Sequence, residues 1–335
     1  MIPALVNIRV ELAKTSQPQG IILTSSWQSS TSIEILRLRA ALLATIRCFF
    51  ERREVLEVET PLLSRSTVSD PHIDAFNLQD GATELFLQTS PEYAMKRLLA
   101  QGAGPIYQIC KSFRRGEQGS RHSSEFTMLE WYRPGFDHHQ LMDEVAELVV
   151  MVLGAQPVKK LTYRELFQQF LAIDPHTASE HELREIAKSR LDLNFDEGQR
   201  DTWLDILLTE LIEPHLKDLT FVYDYPTSQA ALARIENDEH RIAVGRRFEL
   251  YVNNIELANG YFELCDHHEQ RSRFLQDNRQ RQQLGKDLMP IDEQFLAALA
   301  SGLPECSVVA LGLDRLLMLQ AGADNISKVI SFGQN

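Results

Sequence analysis

Residues 113–132 read FRRGEQGSRHSSEFTMLEWY, an arginine-rich loop that leads into a predicted strand over 126–132. The loop carries Arg114, and guanidinium groups bind phosphate through paired hydrogen bonds, which suits a nucleoside triphosphate. A carboxylate on the same strand, such as Glu130, needs a cation as its partner, either a metal ion or a substrate ammonium. By itself the segment fits a surface hairpin with neutralising ion pairs equally well, because such ion networks are common.

A second group of carboxylates lies in residues 248–263, which read FELYVNNIELANGYFE. Glu249, Glu256 and Glu263 recur every seven residues, and Asn253-Asn254 is typical of a hairpin turn. Such a turn places Glu249 and Glu256 on neighbouring strands, where paired carboxylates can hold magnesium between phosphates. A solvated sheet edge is the alternative.

A third segment, 308–312, is an apolar strand that runs into Asp314-Arg315 at the start of a predicted helix. An arginine in this position can reach a terminal phosphate. Taken alone, a helix-capping aspartate beside a surface arginine explains the pair better.

The predicted elements favour an α+β fold with a mostly antiparallel sheet, because strands group together with helices around them and do not alternate regularly with helices. Thr31 and Glu34 have capping-box spacing, and apolar residues at helical intervals predict a helix that ends near Arg53. Further strands are predicted over 55–60, 85–88, 106–109, 221–225, 248–252 and 255–264. We expect residues 1–32 to form a flexible arm and 33–335 to form one domain, with a polar helical insertion at about 155–220.

Amino-acid composition limits the partners and the cellular location that we expect for the protein. The 335 residues include 34 Lys and Arg against 47 Asp and Glu, a net charge of −13, which disfavours a polyanionic partner such as RNA. The sequence predicts neither a membrane span nor a signal peptide. The four cysteines are far apart and form no CxxC pair, so we expect a reducing, cytoplasmic location without a structural zinc site.

Taken together, these segments resemble the three motifs of class II aminoacyl-tRNA synthetases. Residues 49–61 resemble motif 1, Arg114 with Phe126 resembles motif 2, and residues 312–315 resemble motif 3. More narrowly, residues 89–93, which read TSPEY, and Asn259 with Tyr261 and Glu263 are similar to the lysine-specific subgroup. The resemblance spans about residues 33–335 and implies the class II catalytic fold.

Lysyl-tRNA synthetases also carry an N-terminal OB-fold, which is a five-stranded barrel. The residues before the first predicted helix are too few to build one, so we expect no anticodon-binding domain. In this respect the chain resembles a truncated paralogous family, the elongation factor P–(R)-β-lysine ligases. That resemblance implies an ATP-dependent ligase that joins lysine or (R)-β-lysine to a lysine of elongation factor P.

The resemblance also implies roles for individual residues. Arg114 and Arg315 would be catalytic, and the metal ligands for Mg²⁺ would be Glu249 and Glu256. The ATP site would comprise Arg114, Glu117, His122, Phe126 and Arg315. The amino-acid pocket would comprise Glu92, Glu130, Tyr132, Asn259, Tyr261, Glu263 and Ala310. A homodimer through motif 1 is implied as well.

The sequence departs from the family pattern in motif 2 and in motif 3, and two alternative functions remain open. Gly116 occupies the motif 2 position that usually holds glutamate, and Val308 and Ala310 stand at positions that are glycine-like in lysyl-tRNA synthetases. The alternatives are a minimal lysyl-tRNA synthetase that charges tRNA and a non-catalytic regulator with the same fold. The net charge and the expected lack of an OB-fold disfavour the first, and the retained arginines and carboxylates disfavour the second.

Ala310 yields a test of substrate preference. Its methyl group reshapes the pocket, and a difference of this size changes discrimination by about 1–3 kcal/mol. We expect Ala310→Gly to shift the ratio of ATP–pyrophosphate exchange rates away from β-lysine and toward α-lysine. An unchanged ratio for the two isomers would contradict the idea.

Overall fold

The computed structural model describes residues 27–195 and 198–333, so residues 1–26 of the expected arm lie outside the described part. The described residues form nine α-helices and twelve β-strands. The helices are α1 (Ile33–Glu51), α2 (Glu92–Ala100), α3 (His138–Leu153), α4 (Tyr163–Leu171), α5 (Glu180–Arg190), α6 (Arg200–Ile206), α7 (His267–Gln283), α8 (Glu293–Gly302) and α9 (Leu313–Ala321). The strands are β1 (Leu56–Glu57), β2 (Leu63–Ser64), β3 (Asn77–Asp80), β4 (Thr83–Leu87), β5 (Ile106–Phe113), β6 (Glu125–Pro134), β7 (Val158–Thr162), β8 (Leu219–Pro226), β9 (Ile235–Asn237), β10 (Ala243–Val252), β11 (Ile255–Phe262) and β12 (Cys306–Gly312).

A large sheet runs in the order β1-β5-β6-β12-β11-β10-β8-β7, and β9 pairs with β10. The outermost pairings, β1 with β5 and β7 with β8, are parallel, and the pairings between them are antiparallel. The predicted α+β class with a mostly antiparallel sheet is therefore confirmed. A separate small sheet has the order β2-β4-β3.

The four central strands are apolar on one face and polar on the other, because side chains alternate along a strand. Leu129 and Trp131 of β6, Val309 of β12 and Phe248 of β10 are buried against the helices α1, α3 and α9. Their neighbours in the chain point to the opposite face. One face of the sheet thus builds the main hydrophobic core and leaves the other face free to form a site.

The first helix begins at Ile33 as predicted, but its capping residue is one position later than the sequence suggested. Ser32 caps α1 by accepting a hydrogen bond from the backbone amide of Ile35, so the predicted Thr31–Glu34 capping box is wrong. The hydroxyl of Thr31 instead donates a 2.9 Å hydrogen bond to the carbonyl of Ile330, near the end of the described chain. The start of the domain is therefore fastened to its C-terminal segment.

The predicted insertion contains the helices α4, α5 and α6, but it follows a strand that was not expected, β7, which joins the edge of the large sheet. The last turns, Leu207–Ile212, form a π-helix. Trp203, Phe167 and Tyr163 are fully buried in a separate hydrophobic cluster that packs against β8 and β10. The segment therefore has a core of its own.

None of the helices formed by the described residues combines the length and hydrophobicity of a transmembrane span.

Gly260 tests the packing of the sheet. A Cβ at this position would overlap the ring of Phe248 and lie 2.7 Å from the carbonyl oxygen of Val308. We expect Gly260→Ala to lower the free energy of unfolding by about 2–3 kcal/mol, as overpacking does. Gly119→Ala is the matched control, because no atom lies within 4 Å of its added methyl group. Equal denaturant midpoints for the two variants would refute this account of the close contact.

Candidate active site

The polar face of the central strands forms the floor of a deep cavity of about 1230 Å³. Most of the predicted site residues line it: Arg114, Glu117, His122, Phe126, Arg315, Glu249, Glu256, Glu92, Glu130, Asn259, Tyr261 and Ala310. Tyr132 and Glu263 do not line the cavity and are fully buried behind its wall. Residues that are far apart in the sequence therefore surround a single space.

The floor is built on one row of residues that runs across four strands. Glu130 of β6 pairs with Ala310 of β12, Ala310 pairs with Asn259 of β11, and Asn259 pairs with Glu249 of β10. Directly paired residues on neighbouring strands lie about 5 Å apart and point to the same face. The row thus connects the predicted amino-acid pocket at Glu130 with the predicted metal ligand Glu249.

A β-bulge brings Glu256 to the same face. The register shifts between Leu250 and Tyr251, so that Glu249 pairs with Asn259 but Tyr251 pairs with Glu256. Without the extra residue, strict alternation would point Glu256 and Asn259 to opposite faces. The bulge therefore places both predicted metal ligands on the cavity side of the hairpin.

Arg315, in the first turn of α9, joins three segments at one end of the cavity. Its guanidinium donates a 2.7 Å hydrogen bond to the backbone carbonyl of Glu256 and lies 3.4 Å from that residue's carboxylate. It also lies 2.7 Å from Nε2 of His122. Burial lowers the pKa of His122, and the neighbouring Arg315 charge lowers it further. A neutral His122 beside a fixed cation leaves a positive site that fits a phosphate.

Arg114, directly after β5, lies over the ring of Phe126, with 5.2 Å between the guanidinium carbon and the ring centroid. Its guanidinium is 3.6 Å from the carboxylate of Glu117, and its buried Nε has no hydrogen-bond partner. Gly116 has a φ of 85°, a conformation that glutamate would adopt only with strain. The departure at Gly116 therefore follows from the turn, and Glu117 is the acid that approaches Arg114.

Glu249 is held by three donors. The hydroxyls of Tyr225 and Tyr251 lie 2.7 Å and 2.5 Å from its Oε2, and Arg247 donates to its Oε1. A carboxylate has about four acceptor positions, so one remains available. Arg247, which the sequence analysis missed, also donates to Asn259 and lies over the ring of Tyr225. Arg247 is two residues before Glu249 on the same strand, and this spacing was the sequence signal that could have identified it.

Glu249 and Glu256 fit a magnesium ion bound together with phosphates. Glu256 lies on the cavity floor with 41% of its side chain exposed. Partial desolvation by the surrounding protein raises the pKa of Glu256, and the Glu249 charge raises it further. Among the described residues, no three His, Cys, Asp or Glu side chains form a metal site without other ligands. Mg²⁺ commonly takes one or two carboxylates and completes its shell with phosphates and water, so this pair is sufficient.

At the other end of the cavity, a buried lysine that the sequence analysis missed lies among the acids of the amino-acid pocket. Lys96 of α2 forms ion pairs with Glu92, one helical turn earlier, and with Glu263, whose Oε2 is 2.6 Å from its Nζ. The only sequence signal was the spacing of four residues between Glu92 and Lys96, which is typical of surface helix pairs as well. Burial alone would lower the pKa of Lys96, but the carboxylates of Glu263 and Glu92 raise it above its ordinary value.

Glu130 lies beside this group with a single close donor, the hydroxyl of Tyr132 at 2.8 Å. Burial raises the pKa of Glu130 to about 8, and the neighbouring Glu92 charge contributes to the increase. An added cation would reverse this shift, because it favours the ionised carboxylate. Glu130 is therefore suited to receive an ammonium group.

The raised pKa makes the stability of the folded protein depend on pH. The folded chain keeps a proton that the unfolded chain releases above pH 4.5, so the free energy of unfolding falls between about pH 4.5 and 8. Glutamine cannot titrate, so we expect Glu130→Gln to gain about 1–3 kcal/mol over the original protein when the two are compared at pH 8.5 and at pH 5. Denaturant unfolding without ligands at both pH values measures this. A pH-independent difference would mean that Glu130 ionises normally.

Comparison with known proteins agrees with this geometry. Residues 24–335 match the family of class II tRNA synthetases (D, K and N). A protein of Salmonella dublin named elongation factor P–(R)-β-lysine ligase is 50% identical over 320 residues, which cover 92% of this chain and 98% of the relative. A protein of Salmonella gallinarum with the same name is 51% identical over the same shares of both chains. The chain therefore belongs to the class II tRNA synthetase family.

Proposed function

We propose that the protein is an ATP-dependent ligase that activates a lysine-type amino acid, preferably (R)-β-lysine, as its adenylate. It then transfers the acyl group to the ε-amino group of a specific lysine of elongation factor P. The observation that carries the proposal is one cavity in which two arginines and two carboxylates adjoin a pocket of buried acids. The name of the Salmonella relatives supports the choice of substrate and acceptor.

In the first step, the carboxylate of the amino acid attacks the α-phosphorus of ATP and pyrophosphate leaves. This reaction depends on positioning and on neutralising charge rather than on a covalent catalyst. Arg114 would hold the α-phosphate and Arg315 the γ-phosphate, with His122 beside the β- and γ-phosphates. Phe126 would stack on adenine, with Glu117 close by. The 5.2 Å contact between Arg114 and Phe126 supports a shared position for the base and the first phosphate.

Glu249 and Glu256 would hold Mg²⁺ between the phosphates. When bound, the ion supplies positive charge that stabilises the phosphate oxygens during displacement. The three donors to Glu249 orient that carboxylate, which supports its assignment as a ligand.

The amino-acid end of the cavity suits a diamino acid. Glu92 and Glu130, which line the cavity, would receive ammonium groups, and Asn259 and Tyr261 would hydrogen-bond the substrate. Tyr132 and Glu263 would act from behind the wall. The hydrogen bond from Tyr132 to Glu130 supports this indirect role.

In the second step, the ε-amine of the acceptor lysine attacks the acyl carbon of the adenylate. An amide bond forms, the bond between the acyl carbon and the phosphate oxygen breaks, and AMP leaves while the amine loses a proton. The net charge of −13 favours a basic protein surface over tRNA as the partner. A homodimer formed through motif 1 and a cytoplasmic location belong to the same proposal, and the free cysteines of the described residues agree with a reducing compartment.

Two linked assays test the proposal. We expect ATP–pyrophosphate exchange that depends on a lysine isomer and on Mg²⁺, and we expect mass spectrometry to show one lysyl residue added to elongation factor P. Glu256→Gln should lower exchange by about 100-fold or more, because the proposed metal site loses a ligand. Glu125→Gln, an exposed glutamate of β6 outside the cavity, is the control and should retain activity within about twofold.

Charged tRNA together with unmodified elongation factor P would replace this function with that of a minimal lysyl-tRNA synthetase. Absence of exchange with every lysine isomer would favour a non-catalytic regulator.

A further inference from the structure

The buried group around Lys96 has a feature that the activation reaction does not explain. One ammonium, Lys96, has no exposed surface and is paired with two carboxylates, Glu92 and Glu263, and a third carboxylate, Glu130, is near enough to be influenced by all three charges. Isolated buried charges are strongly unfavourable, so a lysine in this place must compensate specific acids. Its Nζ also lies 5.5 Å from the ring centroid of Phe295, whose face adds a weak attraction for the cation.

Lys96 is a permanent part of the wall rather than a plug that the substrate displaces. Glu92 lines the cavity, whereas Lys96 and Glu263 do not, so Lys96 lies on the protein side of Glu92. Both oxygens of Glu263 lack a hydrogen-bond donor of good geometry, and Lys96 at 2.6 Å is the cation that compensates them. We place the proton of the pair on Lys96, because its amine lies between two carboxylates.

The net charge of these four side chains indicates a role for Lys96. When all three acids are ionised, three carboxylates and one ammonium leave a net charge of two negative units, which matches the two ammonium groups of a diamino acid whose carboxylate has been converted into the adenylate. Without Lys96 the group would carry one excess negative charge and would retain a proton on an acid to relieve it. Of the two acids on the cavity side, Glu92 is paired with Lys96, whereas the donor to Glu130 is the neutral hydroxyl of Tyr132, and this is where the substrate needs an ionised carboxylate.

We propose that Lys96 is a positioning residue that sets the charge of the amino-acid pocket, so that Glu130 ionises when a substrate ammonium binds and a diamino acid is preferred over a monoamino acid. This inference rests on the proposed function and deepens it. The charged and titratable groups that face Glu130 are Glu92 and Lys96 on α2, Glu263 after β11, Tyr132 on β6 and Cys110 on β5. Of these, only Lys96 lowers the pKa of Glu130 by its charge.

The test measures kcat/KM of ATP–pyrophosphate exchange between about pH 6 and 10, since this parameter reports the ionisations of the free enzyme. In the original protein we expect kcat/KM to fall on the acidic side of about pH 8, where Glu130 takes up a proton. We call this fall the acidic limb of the pH profile. Lys96→Met should move this limb upward by about one pH unit, which lowers kcat/KM for lysine about tenfold at pH 7.5. The ratio of lysine to norleucine, which lacks the second amine, should also fall about tenfold.

Two further variants separate charge from structure. Glu263→Gln removes a neighbouring negative charge and should move the limb downward. The double variant Lys96→Met/Glu263→Gln removes one charge of each sign and should return the limb to within about half a pH unit of the original. The titration of the substrate amines is the same for every variant, so it cannot place the acidic limb at a different pH in each of them.

A solely structural role for Lys96 predicts a different result. In that case Lys96→Met would lower kcat/KM for lysine and norleucine equally and leave the acidic limb in place, which would overturn the inference. If the single variant does not fold, the positions of the limb in Glu263→Gln and in the double variant decide, and equal limbs would contradict the inference. Activity of the original protein with a lysine isomer is the control, and its absence would contradict the proposed function instead.

Discussion

The structure depends on one electrostatic constraint: charged side chains that face a common cavity must each have a partner of opposite charge or several hydrogen-bond donors. Burial of an unpartnered carboxylate or ammonium would cost more than a folded domain has in reserve. Glu249 meets the constraint with Arg247 and two tyrosine hydroxyls, and Glu263 meets it with Lys96. Glu130 and Glu256 meet it least completely, because Glu130 accepts only from the Tyr132 hydroxyl and Glu256 has only a 3.4 Å contact with Arg315. The places where the protein lacks countercharge are the places where a substrate ammonium and a metal ion are proposed to bind.

The sheet fixes the positions of these charged side chains. Antiparallel pairing fixes Glu130, Ala310, Asn259 and Glu249 in one row, and the apolar residues between them anchor the other face to α1, α3 and α9. Sites built on strands hold their geometry more closely than sites built on loops. The arginines come from the ends of the same elements, Arg114 directly after β5 and Arg315 at the start of α9, so they inherit the same framework. A preorganised site of this kind suits a reaction that relies on positioning and charge.

Local sequence signals accounted for much of the fold and for part of the cavity. The Asn253-Asn254 turn was predicted, and both residues have the positive φ that a tight hairpin requires. The bulge that turns Glu256 to the cavity was not predictable, because one extra residue leaves no signature in a short segment such as Glu256–Ala258. Strand β7 escaped notice since VKKLT shows no clear alternation, and Ser32 rather than Thr31 caps α1 because either residue can serve. Lys96 was missed for a different reason: a lysine four residues after a glutamate has the spacing of a surface ion pair, and only the tertiary structure buries it.

The most direct measurement is a crystal structure of the protein with Mg²⁺ and a non-hydrolysable lysyl-adenylate analogue. The account predicts adenine against Phe126, the phosphate analogue beside Arg114, and the lysyl ammonium groups against Glu92 and Glu130 in the same cavity. An analogue bound outside this cavity, or one whose lysyl end points away from Glu130, would contradict the account.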